Sequence, residues 1–223
     1  MKLSILIPVY NNLHYTKQVL KSIGKNIFTD DYEIIIFDNW STDWTNEFLR
    51  NAYDIWTKYP WTITNSENIY VNPAWNQLSQ YAKWEYLLFL NNDITLFPDF
   101  DLKLIANHTD WKIVCPFVKQ YWNNEPAYYY KNNINWTCFL LKKEDYINIP
   151  DEIKLYYGDD ILFRSLWVNW INEYVIHWWS QTLSKLPELN EIINNDKKEY
   201  IKYCIDKWWQ DERFSETLIT NNQ

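Results

Sequence analysis

The sequence predicts an α/β fold: one domain with a mostly parallel central sheet and helices on both faces. Two observations support this prediction. Short apolar runs alternate with helix-like segments over residues 3–90, and such alternation is typical of a parallel sheet that its crossover helices cover on both sides. The chain also has 223 residues, of which 47% are apolar, which is enough for a substantial core in a single domain.

Four strands and three helices are predicted in the first half. The strands are short runs of apolar and β-branched residues, as buried parallel strands are: Leu3–Val9, Glu33–Asp38, Trp61–Asn65 and Tyr86–Leu90. The helices are Tyr15–Ile23, which Gly24 closes, Thr45–Trp56, which begins near Thr42 or Asp43, and Ala74–Ala82, which follows Pro73.

The second half is less regular. We predict strands at Lys112–Val118, Thr137–Leu141 and Glu173–His177, and helices at Asp159–Trp170 and Leu189–Trp208. The intervening Gln120–Asn135 is polar and rich in tyrosine, which predicts a loop or a hairpin. No internal repeat or linker marks a domain boundary.

The composition excludes several classes of protein. A net charge of −8 disfavours binding to a nucleic-acid backbone, which usually requires a basic patch. No segment approaches the roughly 20 apolar residues of a membrane-spanning helix, and the apolar N-terminal run lacks a cleavage site. Cys115, Cys138 and Cys204 form no CxxC pair, so we expect buried, reduced thiols. We therefore expect a cytoplasmic protein, either soluble or peripheral to a membrane.

Tryptophan is abundant and glycine is scarce. The chain has 15 Trp and 2 Gly, whereas average usage of about 7% would give roughly 16 glycines. Trp40 and Trp44 follow the second strand, where a turn favours residues free to take positive φ. One hypothesis is that many tryptophans stand for glycine, because UGA codons that the source reads as glycine are translated here as tryptophan. The other is a protein naturally rich in tryptophan.

Polar residues directly follow three of the predicted strands. They are Tyr10-Asn11-Asn12, Asp38-Asn39 and Asn91-Asn92-Asp93. Ligands of parallel α/β sheets bind at the carboxyl ends of the strands. We therefore expect the three groups to meet in one crevice.

Each ionisable candidate has a structural and a functional interpretation. Asp93 is either a turn or capping residue or a ligand of a hard divalent cation. Asp38 either organises its own turn or binds a base or ribose. Asp159 and Asp160 begin a predicted helix, where the dipole favours acids and where a general base would also suit. His177 ends a strand and is either a structural hydrogen-bonding residue or a metal ligand.

Together, these residues resemble glycosyltransferase family 2, whose members have the Rossmann-like GT-A fold. The resemblance covers residues 1–180 and rests on five motifs: Val9-Tyr10-Asn11, Asp38-Asn39-x-Ser41-Thr42-Asp43, Asn76, Leu90-Asn91-Asn92-Asp93 and Gly158-Asp159-Asp160. The spacing over Asn72–Asp93 is especially close if Trp75 and Trp84 are read as glycine. The resemblance implies one catalytic domain over 1–223, with a nucleotide-sugar-binding half at 1–95, an acceptor and catalytic half at 96–180 and a C-terminal helical appendage at 181–223.

The resemblance also implies roles for individual residues. Asp93 would match the last acid of the family's Asp-x-Asp motif and bind Mn²⁺ or Mg²⁺, with His177 as a second ligand. Asn91 stands where the first acid often stands, which leaves Asp93 as the main carboxylate ligand. Asp160 would be the catalytic base and Asp159 would contact the acceptor. The residues expected to bind the donor are Pro8, Tyr10, Asn11, Asp38, Asn76 and Asn92.

The implied reaction moves a sugar from a nucleoside-diphosphate sugar, UDP- or dTDP-linked, to a hydroxyl of a glycan or lipid-linked acceptor. Asp160 would take the hydroxyl proton, and the metal would offset charge on the departing diphosphate. A single displacement of this kind inverts the anomeric configuration. The family resemblance also favours a role in the synthesis of surface polysaccharide.

Three other classes fit the motifs less well. A nucleotidyltransferase normally has a Gly-rich loop after the first strand, whereas this turn is Pro8-Val9-Tyr10-Asn11. An NAD-dependent enzyme needs GxGxxG, which occurs under neither reading of the tryptophans. A non-catalytic carbohydrate- or nucleotide-sugar-binding protein of the same fold is the alternative, and a folded protein without metal-dependent donor turnover would favour it.

Overall fold

The protein forms one mixed sheet with helices packed on it. The structure, a computed structural model, describes residues 2–51, 60–122, 125–130, 137–178, 187–207 and 209. Within these residues, the strands lie side by side in the order 61–64, 31–38, 2–9, 86–90, 138–142, 112–122, 167–178 and 94–95, with 125–130 paired to 112–122.

The four strands of the first half run parallel to one another. They are β1 (Lys2–Val9), β2 (Asp31–Asp38), β3 (Trp61–Thr64) and β4 (Tyr86–Leu90). The helices between them are α1 (Leu13–Asn26), α2 (Thr45–Asn51) and α3 (Val71–Tyr81). The predicted β-α-β-α-β-α-β order is confirmed, and the later part of the predicted helix Thr45–Trp56 lies outside the described residues.

The second half adds five strands of mixed direction. They are β5 (Ile94–Thr95), β6 (Lys112–Trp122), β7 (Glu125–Tyr130), β8 (Cys138–Lys142) and β9 (Trp167–Trp178). β8 joins the two halves because it pairs antiparallel with both β4 and β6. β9 runs parallel to β6 and antiparallel to β5. The remaining helices are α4 (Phe100–Ala106), α5 (Gly158–Ser165) and α6 (Asn190–Asp206).

Two predictions of secondary structure are wrong. The predicted helix Asp159–Trp170 ends at Ser165, and β9 begins at Trp167. Residues 167–170 pair with 112–115 of β6, a long-range contact that local periodicity does not reveal. Gly24 lies inside α1, which continues to Asn26, so this glycine does not close the helix.

Buried side chains line both faces of the sheet. Along β1, Leu3, Ile5 and Ile7 belong to one apolar cluster and Leu6 belongs to the other. The first cluster includes residues of α1, α2 and α4, and the second includes residues of α3, α5 and α6. The prediction of helices on both faces is therefore confirmed.

Helix α6 is part of this core. Tyr200 is completely buried and Cys204 is 1% exposed, and both belong to the second cluster. The described part of the predicted appendage 181–223 thus packs on the sheet rather than standing apart. Cys115 and Cys138 are also buried, and none of the three cysteines forms a disulfide, as predicted. None of the described helices combines the length and the apolarity that crossing a membrane requires.

Candidate active site

The turns that follow β1 and β2 are hydrogen-bonded to each other. Asn11 Oδ1 accepts the backbone N–H groups of Thr42 and Asp43 at 2.7 and 3.2 Å. The backbone N–H of Asn11 donates to Ser41 Oγ at 2.7 Å. Asn11 has a φ of 57°, a left-handed conformation that asparagine adopts more readily than most residues. The two predicted donor-binding turns are therefore one structural unit.

Asp38 organises the second of these turns. Its side chain is completely buried, Oδ1 accepts the N–H of Ser41 at 3.0 Å and Oδ2 accepts Asn46 Nδ2 at 2.6 Å. The structural interpretation of Asp38 is thus realised, and its contact with a base or ribose stays a prediction. The next residue, Asn39, donates its N–H to Val9 O at 2.8 Å and keeps β1 and β2 together at their ends.

Asp43 ties the same turn to the start of α1. Its carboxylate accepts the N–H of Leu13 at 3.2 Å and the N–H of Thr45 at 2.9 Å. Burial by itself would raise the pKa of Asp43, but the hydrogen bonds from Thr45 and Leu13 favour the charged form and leave the pKa below its ordinary value.

The end of β4 reaches the same place. Asn92 Nδ2 donates to Thr16 Oγ1 at 3.2 Å and lies 3.5 Å from the backbone oxygen of Asn11. Pro8 and Tyr10 are half-buried at the end of β1, directly before Asn11. The predicted meeting of three polar groups at one edge of the sheet is confirmed.

Asp93 and His177 form a buried pair at this edge. His177 Nε2 lies 3.1 Å from Asp93 Oδ2, and the two residues are 1% and 5% exposed. Ile94 of β5 lies opposite His177 of β9, and the N–H of Trp178 donates to the backbone oxygen of Asp93 at 2.9 Å. The structure therefore brings together the two residues that were predicted to bind a metal.

The acidic pair Asp159 and Asp160 occupies the first turn of α5. Burial raises the pKa of Cys115 well above its ordinary value, and the charges of Cys138 and Asp159 act in the same direction. Asp159 itself is half-buried, so part of its side chain reaches solvent.

Asp160 has different surroundings. It is 5% exposed. Burial raises the pKa of Tyr200 far above its ordinary value, and the charge of Asp160 acts in the same direction. Asp160 is therefore more deeply buried than Asp159, which is half-buried.

Asn76 belongs to another hydrogen-bond network. Its Nδ2 donates to Ile149 O at 2.7 Å, and its Oδ1 accepts the N–H of Ile149 at 3.0 Å and the hydroxyl of Tyr146 at 2.9 Å. Asn76 thus fixes the segment that follows β8 against α3. Its predicted contact with the donor stays a prediction.

A sequence model of the family described as "Glycosyl transferase family 2" matches residues 4–167. This range contains the three strand ends, Asp93 and the acidic pair. The chain belongs to glycosyltransferase family 2. The resemblance stated from the motifs is thereby confirmed.

Two curated glycosyltransferases illustrate the relationship. The chain is 27% identical over 134 residues to the "Uncharacterized glycosyltransferase YfnE" of Bacillus subtilis, a match that covers 59% of this chain and 33% of the relative. It is 30% identical over 97 residues to the "Poly(ribitol-phosphate) beta-N-acetylglucosaminyltransferase TarS" of Staphylococcus aureus, which covers 42% of this chain and 16% of the relative. The matches therefore span a third or less of the length of these relatives.

Solved structures place this glycosyltransferase in the GT-A fold. S. aureus TarS 1–349 in complex with UDP-GlcNAc superposes with a TM-score of 0.68 at 17% identity, over 89% of this chain and 66% of that one. GalNAc-T7 with UDP, GalNAc and Mn²⁺ superposes with a TM-score of 0.73 at 12% identity, over 91% of this chain and 48% of that one. The predicted fold class is confirmed.

Sequence reasoning missed supporting residues of this candidate site. Asn46 Nδ2 donates a hydrogen bond to Asp38 Oδ2, and Thr16 Oγ1 accepts one from Asn92 Nδ2. Thr95 Oγ1 accepts a hydrogen bond from Trp178 Nε1 at 2.8 Å, next to the Asp93–His177 pair. For Thr16 a signal existed, because it shares the helical spacing of the buried residues Val19, Leu20 and Ile23. For Asn46 and Thr95 we find no comparable signal. Asn46 is only eight residues from Asp38, but a polar residue on a helix usually faces solvent, and the partner of Thr95, Trp178, is 83 residues away.

Proposed function

We propose that this member of glycosyltransferase family 2 is an inverting enzyme that transfers a sugar from a UDP-sugar to an acceptor hydroxyl of a glycan or lipid-linked glycan, with Mn²⁺ or Mg²⁺ bound by Asp93 and His177. The observation that carries the proposal is the meeting of the ends of β1, β2, β4 and β9 at one edge of the sheet. That edge combines the Asn11–Asp38 turns with the Asp93–His177 pair.

The donor side of the proposal rests on the turns after β1 and β2. Nucleotides bind at the carboxyl ends of parallel strands, and here those ends are held rigid by Asn11 and Asp38. Tyr10 lies half-buried at the rim, where a ring can contact a base. We propose UDP rather than dTDP as the nucleotide of the donor because the two solved structures described above contain UDP or UDP-GlcNAc.

The residues at the pair fit a divalent cation. A carboxylate and a neutral imidazole suit Mn²⁺, and carboxylates with diphosphate oxygens suit Mg²⁺. The imidazole nitrogen and the carboxylate oxygen lie 3.1 Å apart, so these two side chains would hold one cation together. Among the described residues, no cluster of three or more His, Cys, Asp or Glu side chains surrounds a potential metal position. The diphosphate and water would therefore supply the remaining ligands.

The acidic pair supplies the acceptor chemistry in this proposal. Asp160 removes the proton of the acceptor hydroxyl as the oxygen attacks the anomeric carbon, and Asp159 orients the acceptor by hydrogen bonding. A cation held by Asp93 and His177 would supply positive charge next to the departing diphosphate. Because the hydroxyl attacks opposite to the leaving group in one displacement, the product has the inverted anomeric configuration.

The acceptor is proposed at a coarser level. The match with TarS favours a polymer of the poly(ribitol-phosphate) kind, although it covers only 42% of this chain. The synthesis of a surface polysaccharide at the cytoplasmic side of a membrane is the setting that this acceptor class would require.

The test is an assay for released nucleoside diphosphate, UDP or dTDP, with a panel of UDP- and dTDP-sugars, with Mn²⁺, Mg²⁺ or EDTA, and with poly(ribitol phosphate), other glycans or no acceptor. Asp93→Asn is the test variant. Asp110→Asn is the matched control, because Asp110 is an exposed acid whose carboxylate pairs with Lys142 at 2.8 Å. The anomeric configuration of the product is read by NMR.

Metal-dependent release of UDP that is lost in Asp93→Asn and retained in Asp110→Asn would support the proposal. UDP release that continues in EDTA would refute the proposed requirement for a divalent metal. A folded wild-type protein that binds UDP and transfers nothing to any acceptor would favour the non-catalytic nucleotide-sugar-binding alternative.

A further inference from the structure

The loop before the acidic pair is anchored by helix α6. The carboxylate of Asp196, which is completely buried, accepts three backbone N–H groups in a row. Lys154 N–H donates to Oδ1 at 2.7 Å, and the N–H groups of Leu155 and Tyr156 donate to Oδ2 at 2.6 and 2.8 Å. Hydrogen bonds to a charged acceptor are stronger than hydrogen bonds between neutral groups. These three bonds therefore anchor the loop firmly to α6.

Helix α3 holds the same loop from another direction. Asn72 Nδ2 donates to the backbone oxygens of Ile153 and Tyr156 at 3.1 and 3.0 Å, and the N–H of Asn72 donates to Lys154 O at 3.0 Å. The N–H groups of the loop are thus satisfied by α6 and its oxygens by α3. Because both sets of backbone groups are used, the loop is fixed in one conformation.

The start of α5 is fixed in turn by its neighbours. The ring of Tyr157, which precedes α5, stacks on Tyr200 of α6 with a centroid distance of 4.7 Å and an interplanar angle of 10°. Tyr157 has a φ of 65°, a costly conformation for a bulky residue that its surroundings must impose. Asp159 and Asp160 follow after the single residue Gly158, so their positions depend on this loop.

We propose that Asp196 is a positioning residue for the reaction: it acts through the loop 152–156, which α6 and α3 hold, to place Asp159 and Asp160 at the acceptor. Helix α6 lies outside the family match at 4–167, and it becomes a functional part of the enzyme rather than an appendage. This inference rests on the proposed function, because it takes the acidic pair as the acceptor-side machinery.

Asp196→Asn is the decisive variant, because it conserves shape but replaces one acceptor oxygen with an NH₂ group that faces a backbone donor. We expect a loss of at least tenfold in kcat, with the affinity for UDP and the donor KM unchanged, since the donor turns lie on other elements. Asp206→Asn, an exposed acid at the end of the same helix, is the matched control and keeps full activity. A merely structural role would lower the melting temperature and leave kcat per folded molecule unchanged, which would overturn the proposal.

Two additions keep this test decisive. If Asp196→Asn does not fold, Asn195→Ala removes a weaker contact of α6, the 3.2 Å bond from Asn195 Nδ2 to Glu152 O. We expect it to lower kcat severalfold without changing UDP affinity, and an unchanged kcat would overturn the proposal.

NMR resonances of Asp159 and Asp160 are read in wild type and variant in parallel. If the wild type transfers no sugar but these resonances shift, the proposed function fails while the positioning stands; unshifted resonances overturn the positioning itself.

A separate observation concerns the tryptophans. Trp40 and Trp111 have φ values of 67° and 61°, the left-handed region that bulky residues rarely occupy and glycine occupies readily. They are 50% and 68% exposed, so no packing of the indole explains the conformation. Among the described side chains, the buried indole N–H groups of Trp75 and Trp84 have no hydrogen-bond partner, although buried tryptophans usually find one.

We infer that glycine occupies positions 40 and 111 in the protein that the source cell makes, through UGA codons read as glycine. Trp40 lies between Asn39 and Ser41 in the donor turn, so glycine there would clear the rim of the proposed site. The test reads the codons of the gene and the masses of peptides from the native protein. UGA with a glycine mass at both positions is expected, and UGG or a tryptophan mass at either position overturns the inference.

Discussion

His177 Nε2 lies 3.1 Å from Asp93 Oδ2, although 84 residues separate the two in the chain. The contact joins the end of β9 to the end of β4, and the two-residue strand β5 holds it in register. A carboxylate and an imidazole are thus presented together at the edge of the sheet where the donor turns also lie.

Removal of the His177 side chain should lower the affinity of the site for the metal. We expect His177→Ala to raise the Mn²⁺ concentration for half-maximal UDP release at least about tenfold, because a site with one protein ligand binds the cation less tightly. His14→Ala, which alters an exposed histidine on α1, is the control and should leave the metal titration unchanged. An unchanged titration in His177→Ala would assign this histidine to structure alone.

The two acids at the start of α5 should differ in their effects. Asp160→Asn should lower kcat by about 10²–10⁴, the usual contribution of a general base, and Asp159→Asn should mainly raise the acceptor KM. UDP affinity, measured by calorimetry, should not change in either variant. If instead Asp159→Asn abolishes turnover and Asp160→Asn does not, the roles are exchanged, as the greater exposure of Asp159 would then explain.

The pH dependence of stability should contain a contribution from Asp43. Its pKa is lowered on folding from an ordinary value of 3.8, so its contribution is complete well above 3.8 and is lost as the pH falls through the folded pKa. The difference in free energy of unfolding between wild type and Asp43→Asn should therefore be larger at pH 7 than at pH 3. Urea unfolding measures it, with the exposed Asp151→Asn as the control. A difference that does not shrink in acid would contradict the assignment.

The two glycines should respond in opposite directions to alanine. A Cβ at Gly158 would overlap Asn72 Oδ1 and lie 2.6 Å from Asn72 Cγ and 2.8 Å from Ile149 Cδ1, so Gly158→Ala should cost about 1–3 kcal/mol, as overpacking does. Gly24 lies exposed within α1, and Gly24→Ala should stabilise the protein by about 0.5–1 kcal/mol. Urea unfolding of both variants checks the contrast, and equal effects would refute it.

The first half of the fold was predictable because its signals are local. The buried strands β1, β2 and β4 appear as continuous apolar runs, and parallel sheets place the following residues at one edge whatever the loops do. The meeting of Asn11, Asp38 and Asp93 followed from that rule alone.

The rest depended on contacts between distant segments. Residues 167–170 continue a helical pattern after α5, but their pairing with β6 outweighs it. The sequence around Asp196 carries no motif that marks it, and a single acid on a helix usually faces solvent. Its spacing of four and eight residues from the buried Tyr200 and Cys204 placed it on the inner face of α6, where only a paired or hydrogen-bonded carboxylate is tolerated.

Strand β9, which carries His177, is synthesised long after the strands of the first half. Asp93 leaves the ribosome with the donor half, but its partner His177 is made 84 residues later. During translation the nascent chain can therefore complete the turns around Asn11 and Asp38 well before it can complete the Asp93–His177 pair. If that pair binds the cation, the turns proposed to bind the nucleotide form first. The full metal site forms only after β9 has joined the sheet.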